Sequence, residues 1–321
     1  MVDRDGNGWV ACAQGHRHWG KYGAAGLLAY AKDPADVRAG DDSVRVLLQR
    51  RSWWGNYGGA WGPPGGAMDS HESPAAAAVR EAEEECALPP GSVTIQGVLV
   101  DDHGGWSYQT VVASASRPVP VRPVSSETSK VSWVPAGEVA ALKLHPGFEA
   151  LWPVLRQALE PLTVIVDGAN VMGSRPDGWW RDRAGAARRL RDQLSVLAAA
   201  GIPALPEAMP APRLDLWYPQ IVLVVEGAAR TVAAAHRTGS REGAKPGEGA
   251  AVPDPLAGRV RVVAARASGD DTIAVLAAGT EGRRLVVTAD RELRQRCEDA
   301  GAVVIGPSWL LSQLTPLPGR T

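Results

Sequence analysis

Three carboxylates close together in the chain raise the first chemical question. Glu81, Glu84 and Glu85 stand at i, i+3 and i+4, the spacing that puts side chains on one face of a helix. Like charges on one face repel, and they become useful when a hard divalent cation sits among them. Mg2+ takes oxygen ligands, keeps several waters and completes its shell with substrate phosphates. A metal held in this way can acidify a bound water that attacks phosphorus. Taken alone, the run REAEEE has a plainer meaning, a solvated acidic face. Just ahead of it, Gly65 and Gly66 lack a Cβ and let backbone approach a metal or a substrate closely.

A second acidic set lies in the C-terminal half, each member just past an apolar run. TVIVDGAN carries Asp167 and Asn170, IVLVVEGA carries Glu226, ARASGDD carries Asp270 and Asp271, and LVVTAD carries Asp290. In a doubly wound sheet the carboxyl ends of parallel strands share one edge, where ligands bind. Carboxylates gathered there repel unless a cation joins them, and two metals so held can activate a water and stabilise the leaving oxygen of a phosphodiester. Singly, each of these residues is as well explained as a helix N-cap. A third group is weaker. Cys12, His16 and His18 are spaced like part of a zinc site, but a structural zinc is closed by four ligands and the neighbouring sequence offers no fourth. An ordinary loop thiol and two ordinary histidines are the expectation there.

The elements that must position these groups follow from pattern. Short apolar runs predict strands over 24–30, 44–49, 93–100, 108–113 and 130–134. Ser73 and Pro74 open the glutamate helix as N-cap and first residue, and Pro89-Pro90 stop it. Shorter helices are expected over 136–142 and 148–159. Residues 52–66, dense in Gly, Trp and Pro, read as a loop. The second half predicts strands over 162–166, 221–225, 260–264, 284–288 and 302–305. Helices are expected over 181–200, 271–278 and 291–300, with another from residue 308. The connection 201–219 is Pro-rich, and 238–258 reads as a loop. Strands alternating with helices imply a parallel sheet covered on both faces, whereas the first half is α+β.

Length and composition bound the rest. The 321 residues suggest two domains, meeting near Glu160-Pro161. An apolar share of 45% is that of a globular protein and argues against disorder. A net charge of −1 argues against a uniformly basic nucleic-acid coat, although the first half leans acidic and the second basic. Three cysteines are too few for a disulfide framework and point to a reducing compartment. The N-terminal run lacks the order of a signal peptide, and no stretch has the apolar length of a membrane span. A cytoplasmic protein with no membrane partner is expected.

The spacing in GGAMDSHESPAAAAVREAEEECAL places Gly66, Glu72, Arg80-Glu81 and Glu84-Glu85 so that the stretch resembles the Nudix box, G-x5-E-x7-R-E-U-x-E-E-x-G-U. The flanks QRR…W…WGPPGG and VSWVPAGEV…LHPGFEALWP also look like that family, over about residues 17–157. The resemblance implies an α/β/α sandwich and Mg2+ (or Mn2+) held by Glu81, Glu84 and Glu85. It also implies that Glu72 and Arg80 keep loop and helix in register, with Arg80 orienting Glu81. Ala82 stands where a bulky aliphatic is usual, and Ala87 where a Gly closes the motif; if that position needs a positive φ, Ala is strained there. The family cuts nucleoside diphosphates linked to another group, so a nucleotide derivative is the expected substrate. Trp53, Trp54, Trp61 and Trp106 could stack on its base, or simply fill space. His103, in DDHGGW, could act as a general base, or as an ordinary loop histidine.

The set VDGAN…VVEG…SGDDTI…VVTAD resembles the NYN branch of the PIN-like nucleases, over about residues 161–310. This implies a doubly wound parallel sheet with Asp167, Asp270 and Asp290 as a metal core, Asn170 and Asp271 in support, and Glu226 ending the second strand. Arg181, Arg183, Arg188, Arg189 and Arg191, with Arg230, Arg237 and Arg241, would then position RNA through its phosphates; a solvated face explains them as well. The expected organisation is an N-terminal extension (1–16), a Nudix domain (17–159) and an NYN/PIN-like domain (161–321). The expected activity is pyrophosphate hydrolysis joined to metal-dependent RNA cleavage. One alternative makes the second half a non-catalytic RNA- or protein-binding module; another makes the Nudix half a ligand sensor.

Overall fold

The computed structural model describes residues 4–33, 43–54, 57–233, 256 and 258–314. Arg237, Arg241 and nearly all of the loop expected over 238–258 lie outside the described residues. The chain divides into two compact units, Met1–Glu160 with Ala211–Leu216, and Pro161–Pro210 with Trp217–Thr321. Among the described residues no helix is long and apolar enough to cross a membrane.

The first unit is a mixed sheet with helix α1 (Pro74–Cys86) packed on it. Its central strand, β3 (Ala24–Lys32), is buried from Ala24 through Ala31, as expected of a strand covered on both faces. It runs parallel to β8 (Ser107–Ala115) and antiparallel to β4 (Val44–Arg51) and β6 (Gly65–Ala67). β7 (Val93–Asp102) pairs with β8, while β5 (Trp61–Gly62) and β9 (Thr128–Pro135) pair with β4. A separate hairpin, β1 (Trp9–Ala11) with β2 (Arg17–Trp19), precedes them. A 3-10 helix (Ala136–Ala141) and α2 (Pro146–Gln157) complete the unit.

Helix α1 starts as its sequence requires. The Ser73 hydroxyl accepts from the Ala76 N–H (3.2 Å), and Pro74 takes the first turn. Its buried side is Ala75, Ala77, Ala78, Ala82 and Cys86; such small side chains let the helix backbone lie close to β3. The helix ends on Ala87 at φ 52°, whose N–H bonds the Glu83 carbonyl (3.1 Å). The positive φ that favours glycine is therefore present, and an alanine bears it.

Besides the short helix Gly168–Gly173, which the sequence reading did not include, other segments differ from it. The loop 52–66 contains β5 and the start of β6, strands too short to show an alternating pattern. The Pro-rich connection contributes Ala211–Leu216 to the first unit. There Asp215 accepts from the Val100 N–H (2.7 Å) and gives its own N–H to the Val98 carbonyl (2.9 Å). The stretch before residue 17 is folded onto the unit as well: the Gly6 N–H bonds Asp69 Oδ1 (2.8 Å), and the Asp5 carboxylate accepts from the Ser70 N–H and hydroxyl (2.9 and 2.6 Å).

The second unit is built on five parallel strands: β10 (Leu162–Asp167), β12 (Gln220–Val225), β13 (Val260–Ala264), β14 (Arg283–Val287) and β15 (Val303–Ile305). A two-residue strand, β11 (Leu216–Trp217), falls between β10 and β12 in sequence. The order in the sheet is β13-β12-β10-β14-β15, so the chain leaves β10 first to one side and then to the other. Helices α3 (Gly168–Gly173), α4 (Arg183–Ala200), α5 (Gly269–Gly279), α6 (Arg291–Asp299) and α7 (Pro307–Gln313) follow the strands. One core cluster joins Ile165, Val222, Val224 and Val286 of the sheet to Ile273 and Leu293 of the helices.

Candidate functional site

In the first unit the acidic site is built around one guanidinium. Arg80 donates from Nε and Nη2 to the two oxygens of Glu72 (2.7 and 2.8 Å), from Nη2 to the Ala67 carbonyl (3.0 Å) and from Nη1 to Glu81 Oε1 (2.6 Å). The Glu72 carboxylate also accepts from the Asp69 N–H (3.1 Å). Loop and helix are thus tied through a two-point ion pair. Burial works against the ionised form of Glu72, but the Arg80 hydrogen bonds and charge and the Asp69 N–H outweigh it and hold its pKa below the usual value. For Glu81 burial wins, and the pKa lies above the usual value despite Arg80.

The glycines are required by these neighbours. A Cβ on Gly66 would stand 2.8 Å from the Glu81 carboxylate, and one on Gly65 would stand 2.5 Å from the Ala25 carbonyl oxygen. The Gly65 N–H donates to Glu85 Oε2 (2.9 Å), and the Gln49 amide donates to the same oxygen (2.6 Å). Burial, with the Glu81 charge adding to it, pushes the Glu85 carboxyl up to about 7. Glu84 is more open and is met by the guanidinium of Arg4. Gln49 and Arg4 were not among the residues singled out; Gln49 lies within a quoted flank, but nothing local in the sequence links residue 4 to residue 84.

The aromatic candidates separate. Trp53 and Trp54 are 69% and 75% exposed, with the Arg50 guanidinium over Trp53 at 4.8 Å. The ammonium of Lys130 lies 5.8 Å from the Trp61 ring. Trp106 is engaged: its ring stacks on His18 (3.9 Å between centroids, 9° between planes), and its indole N–H bonds the Gly20 carbonyl (3.1 Å). His103 is turned to Asp101 (3.1 Å) and His18.

In the second unit Asp167, Glu226, Asp270, Asp290 and Asn170 line one cleft of about 460 Å³. Asp167 ends the central strand, where the chain reverses its direction of travel across the sheet, the position at which open α/β sheets leave a crevice. It accepts from the Asn170 N–H (3.0 Å) and from the Thr288 hydroxyl (2.9 Å). That hydroxyl accepts in turn from the Asp290 N–H (3.2 Å). Thr288, fully buried, therefore bridges two of the acidic positions; at the end of an apolar run, its sequence context marks it only as a strand residue. Glu226 accepts from the Gly269 N–H (3.0 Å), and Asn170 Oδ1 accepts from the Ala289 N–H (3.0 Å). Burial first, then the charges of Asp270 and Glu226, raise the pKa of Asp167; burial, Asp290 and Glu226 raise that of Asp270.

Asp271 is not among the residues lining the cleft. It is exposed and pairs with Arg296 (2.7 Å), because adjacent helical positions point about 100° apart. In the basic helix, Arg183, Arg188 and Arg189 are exposed, Arg191 bonds Asp192 (2.6 Å), and Arg181 lies just before the helix, also exposed. Arg230 bonds the Ala267 carbonyl (3.2 Å).

A family model described as "NUDIX domain" matches residues 35–157. The chain is 45% identical over 170 residues to the "Putative 8-oxo-dGTP diphosphatase 3" of Mycobacterium tuberculosis, a match spanning 51% of this chain and 74% of that protein. It is 37% identical over 163 residues to the "Nucleoside triphosphate pyrophosphatase/Nudix hydrolase fusion protein" of Bifidobacterium longum, across 50% of this chain and 33% of that one. A solved Nudix hydrolase from M. smegmatis, RenU, shares 43% identity over 47% of this chain and 93% of its own, with a TM-score of 0.43. With the M. tuberculosis relative matched at 45% identity over 74% of its length and the family model matched within the same region, the chain belongs to the Nudix hydrolase family.

Proposed function

We propose that the first unit hydrolyses the pyrophosphate linkage of a nucleoside di- or triphosphate derivative with Mg2+ or Mn2+. The observation that carries the reading is one helix, α1, that holds Glu81, Glu84 and Glu85 at i, i+3 and i+4, with Arg80 bonded to both Glu72 and Glu81. The donor set fits the ion: it is all oxygen, and Glu85 is a buried carboxyl held at about 7, a group that a divalent cation would readily ionise. Bound there, the ion would neutralise phosphate charge and acidify a water. The protein's own residues do the rest. Arg80 orients Glu81, Gln49 and the Gly65 N–H fix one oxygen of Glu85, and Gly66, lacking a Cβ, lets the turn lie against the Glu81 carboxylate.

The name of the M. tuberculosis relative puts 8-oxo-dGTP first among substrates to test. The experiment is a screen of nucleoside di- and triphosphate derivatives with Mg2+, reading phosphate, pyrophosphate and nucleoside monophosphate. Glu84→Gln with Glu85→Gln should lower kcat by roughly 10²-fold or more. Full activity in that double variant would overturn the assignment of these glutamates, and no hydrolysis by wild type of any derivative would favour a ligand sensor.

For the second unit the reading is an NYN/PIN-like metal-dependent nuclease, with Asp167, Asp270 and Asp290 as the carboxylate core. Its support is the collection of four acidic side chains in one cleft, and Ser268, not Asp270, caps the helix on which Asp270 lies. Asp167→Asn and Asp270→Asn should each abolish Mn2+-dependent cleavage of single-stranded RNA. Wild type that binds RNA or a protein but cuts no RNA would establish the binding-module alternative.

A further inference from the structure

The geometry points to a structural zinc ion held by Cys12, His16, His18 and His103, which clamps the N-terminal hairpin to the β7–β8 turn. One potential ligand atom from each of these side chains lies within 4.8 Å of the others. Among the described residues this is the one group of three or more Cys, His, Asp or Glu gathered so tightly; neither acidic site is. The first three ligands are local: Cys12 and His16 close the turn between β1 and β2, where the Cys12 N–H bonds the His16 carbonyl (2.9 Å), and His18 sits within β2. The fourth is remote in sequence. The Ala13 N–H bonds the Gly104 carbonyl (2.7 Å), and the His103 N–H bonds the Trp106 carbonyl (2.9 Å). These bonds seat the β7–β8 turn, and His103 with it, against the hairpin.

Two observations independent of the clustering point to a ligand. His18 Nε2 and His103 Nδ1 are both buried with no hydrogen-bond partner, although buried ring nitrogens are normally satisfied. His103 Nε2 lies 3.1 Å from Asp101 Oδ2. A carboxylate on one ring nitrogen, with the other left free, is the arrangement by which proteins orient a metal-bound imidazole. His18 is further fixed by its stack on Trp106. One sulfur and three nitrogens suit zinc rather than Mg2+, and four protein ligands leave no open position, so the role is structural. Binding releases the Cys12 thiol proton to solvent. The thiolate leaves the Zn2+ centre with one positive charge, which the Asp101 carboxylate opposes.

Just before the hairpin, Gly6, Asp5 and Arg4 bond Asp69, Ser70 and Glu84. The ion therefore anchors the segment that reaches the glutamate helix.

The test is metal content together with Co2+ spectroscopy of the full chain. Protein purified without added metal, or reduced and reloaded with zinc, should hold about one zinc per chain. Co2+ in its place should give the strong visible bands of four-coordinate cobalt and a near-ultraviolet thiolate charge-transfer band. Cys12→Ser should lose that thiolate band and His103→Ala should lose zinc, whereas Glu84→Gln should keep it. Should either variant fail to fold, His16→Ala, at an exposed position, supplies the same comparison. Failure of reduced wild type to take up zinc or Co2+, a stoichiometric metal other than zinc, or a thiolate band that survives Cys12→Ser would each overturn the assignment.

Discussion

The two acidic clusters are assembled by opposite routes. In the first unit three carboxylates come from five consecutive residues of one helix, and their placement on one face is a property of helical periodicity. In the second, Asp167, Glu226, Asp270 and Asp290 come from four separate segments, each at or after a different strand, and only the order of strands in the sheet brings them together. Their support differs as well. The helix face is held by charge, through Arg80 with Glu72 and Glu81. The cleft carboxylates of the second set are held mainly by neutral donors, the Thr288 hydroxyl and backbone N–H groups, with no cationic donor to them among the described residues. A site held by charge depends on pH and on its one cation, whereas a site held by backbone depends on the sheet.

The largest expected effect follows from Glu85. Its carboxyl is held at about 7 by burial, above its unfolded value, so the protonated form suits the metal-free fold. Its contribution is complete below about 4.5 and is lost as pH rises through about 7, on the order of 3 kcal/mol. Thermal melts of metal-free protein should therefore fall across that window, and Glu85→Gln should flatten the slope. An unchanged slope would show that the helix face is not burdened by its buried carboxyl.

Arg80→Ala should cost about 2–3 kcal/mol in denaturant unfolding, because it leaves Glu72 and Glu81 half-buried without their cation. Thr288→Val should cost about 1–2 kcal/mol by the same measurement, since it removes a buried hydroxyl that donates to Asp167 and accepts from Asp290. If Thr288→Val proved the more costly, the contrast between a charge-held and a backbone-held site would be reversed. The smallest effect is a gain. Ala87→Gly removes left-handed strain of about 1–2 kcal/mol and returns part of it as unfolded-state entropy, so a net stabilisation of about 0.5–1 kcal/mol is expected.

Most secondary structure was legible because the signals are local. Ser73-Pro74 caps the glutamate helix as its residue types require, and the buried strands read as apolar runs. Ala87 shows the same logic at a single residue: the slot that usually holds glycine has φ 52°. What failed to show was short or remote. β5 and β6 are too brief for periodicity, and Ala211–Leu216 belongs to the first unit only through contacts made after folding. Asp271 was grouped with its neighbour Asp270, yet one step along the helix turned it to Arg296.

By itself the sequence determined the glutamate face, its glycine turn and its capped helix, because these depend on backbone geometry over a few residues. It also marked each acidic strand end, without deciding whether these were caps or parts of a site. Tertiary structure alone decided that Asp167, Glu226, Asp270 and Asp290 share a cleft, that Thr288 bridges two of those positions, and that Arg4 meets Glu84. It also supplied His103 to three ligands that lacked a fourth. Such groupings depend on strand order and on which turns pack together, and no spacing along a chain encodes a distance that only folding closes.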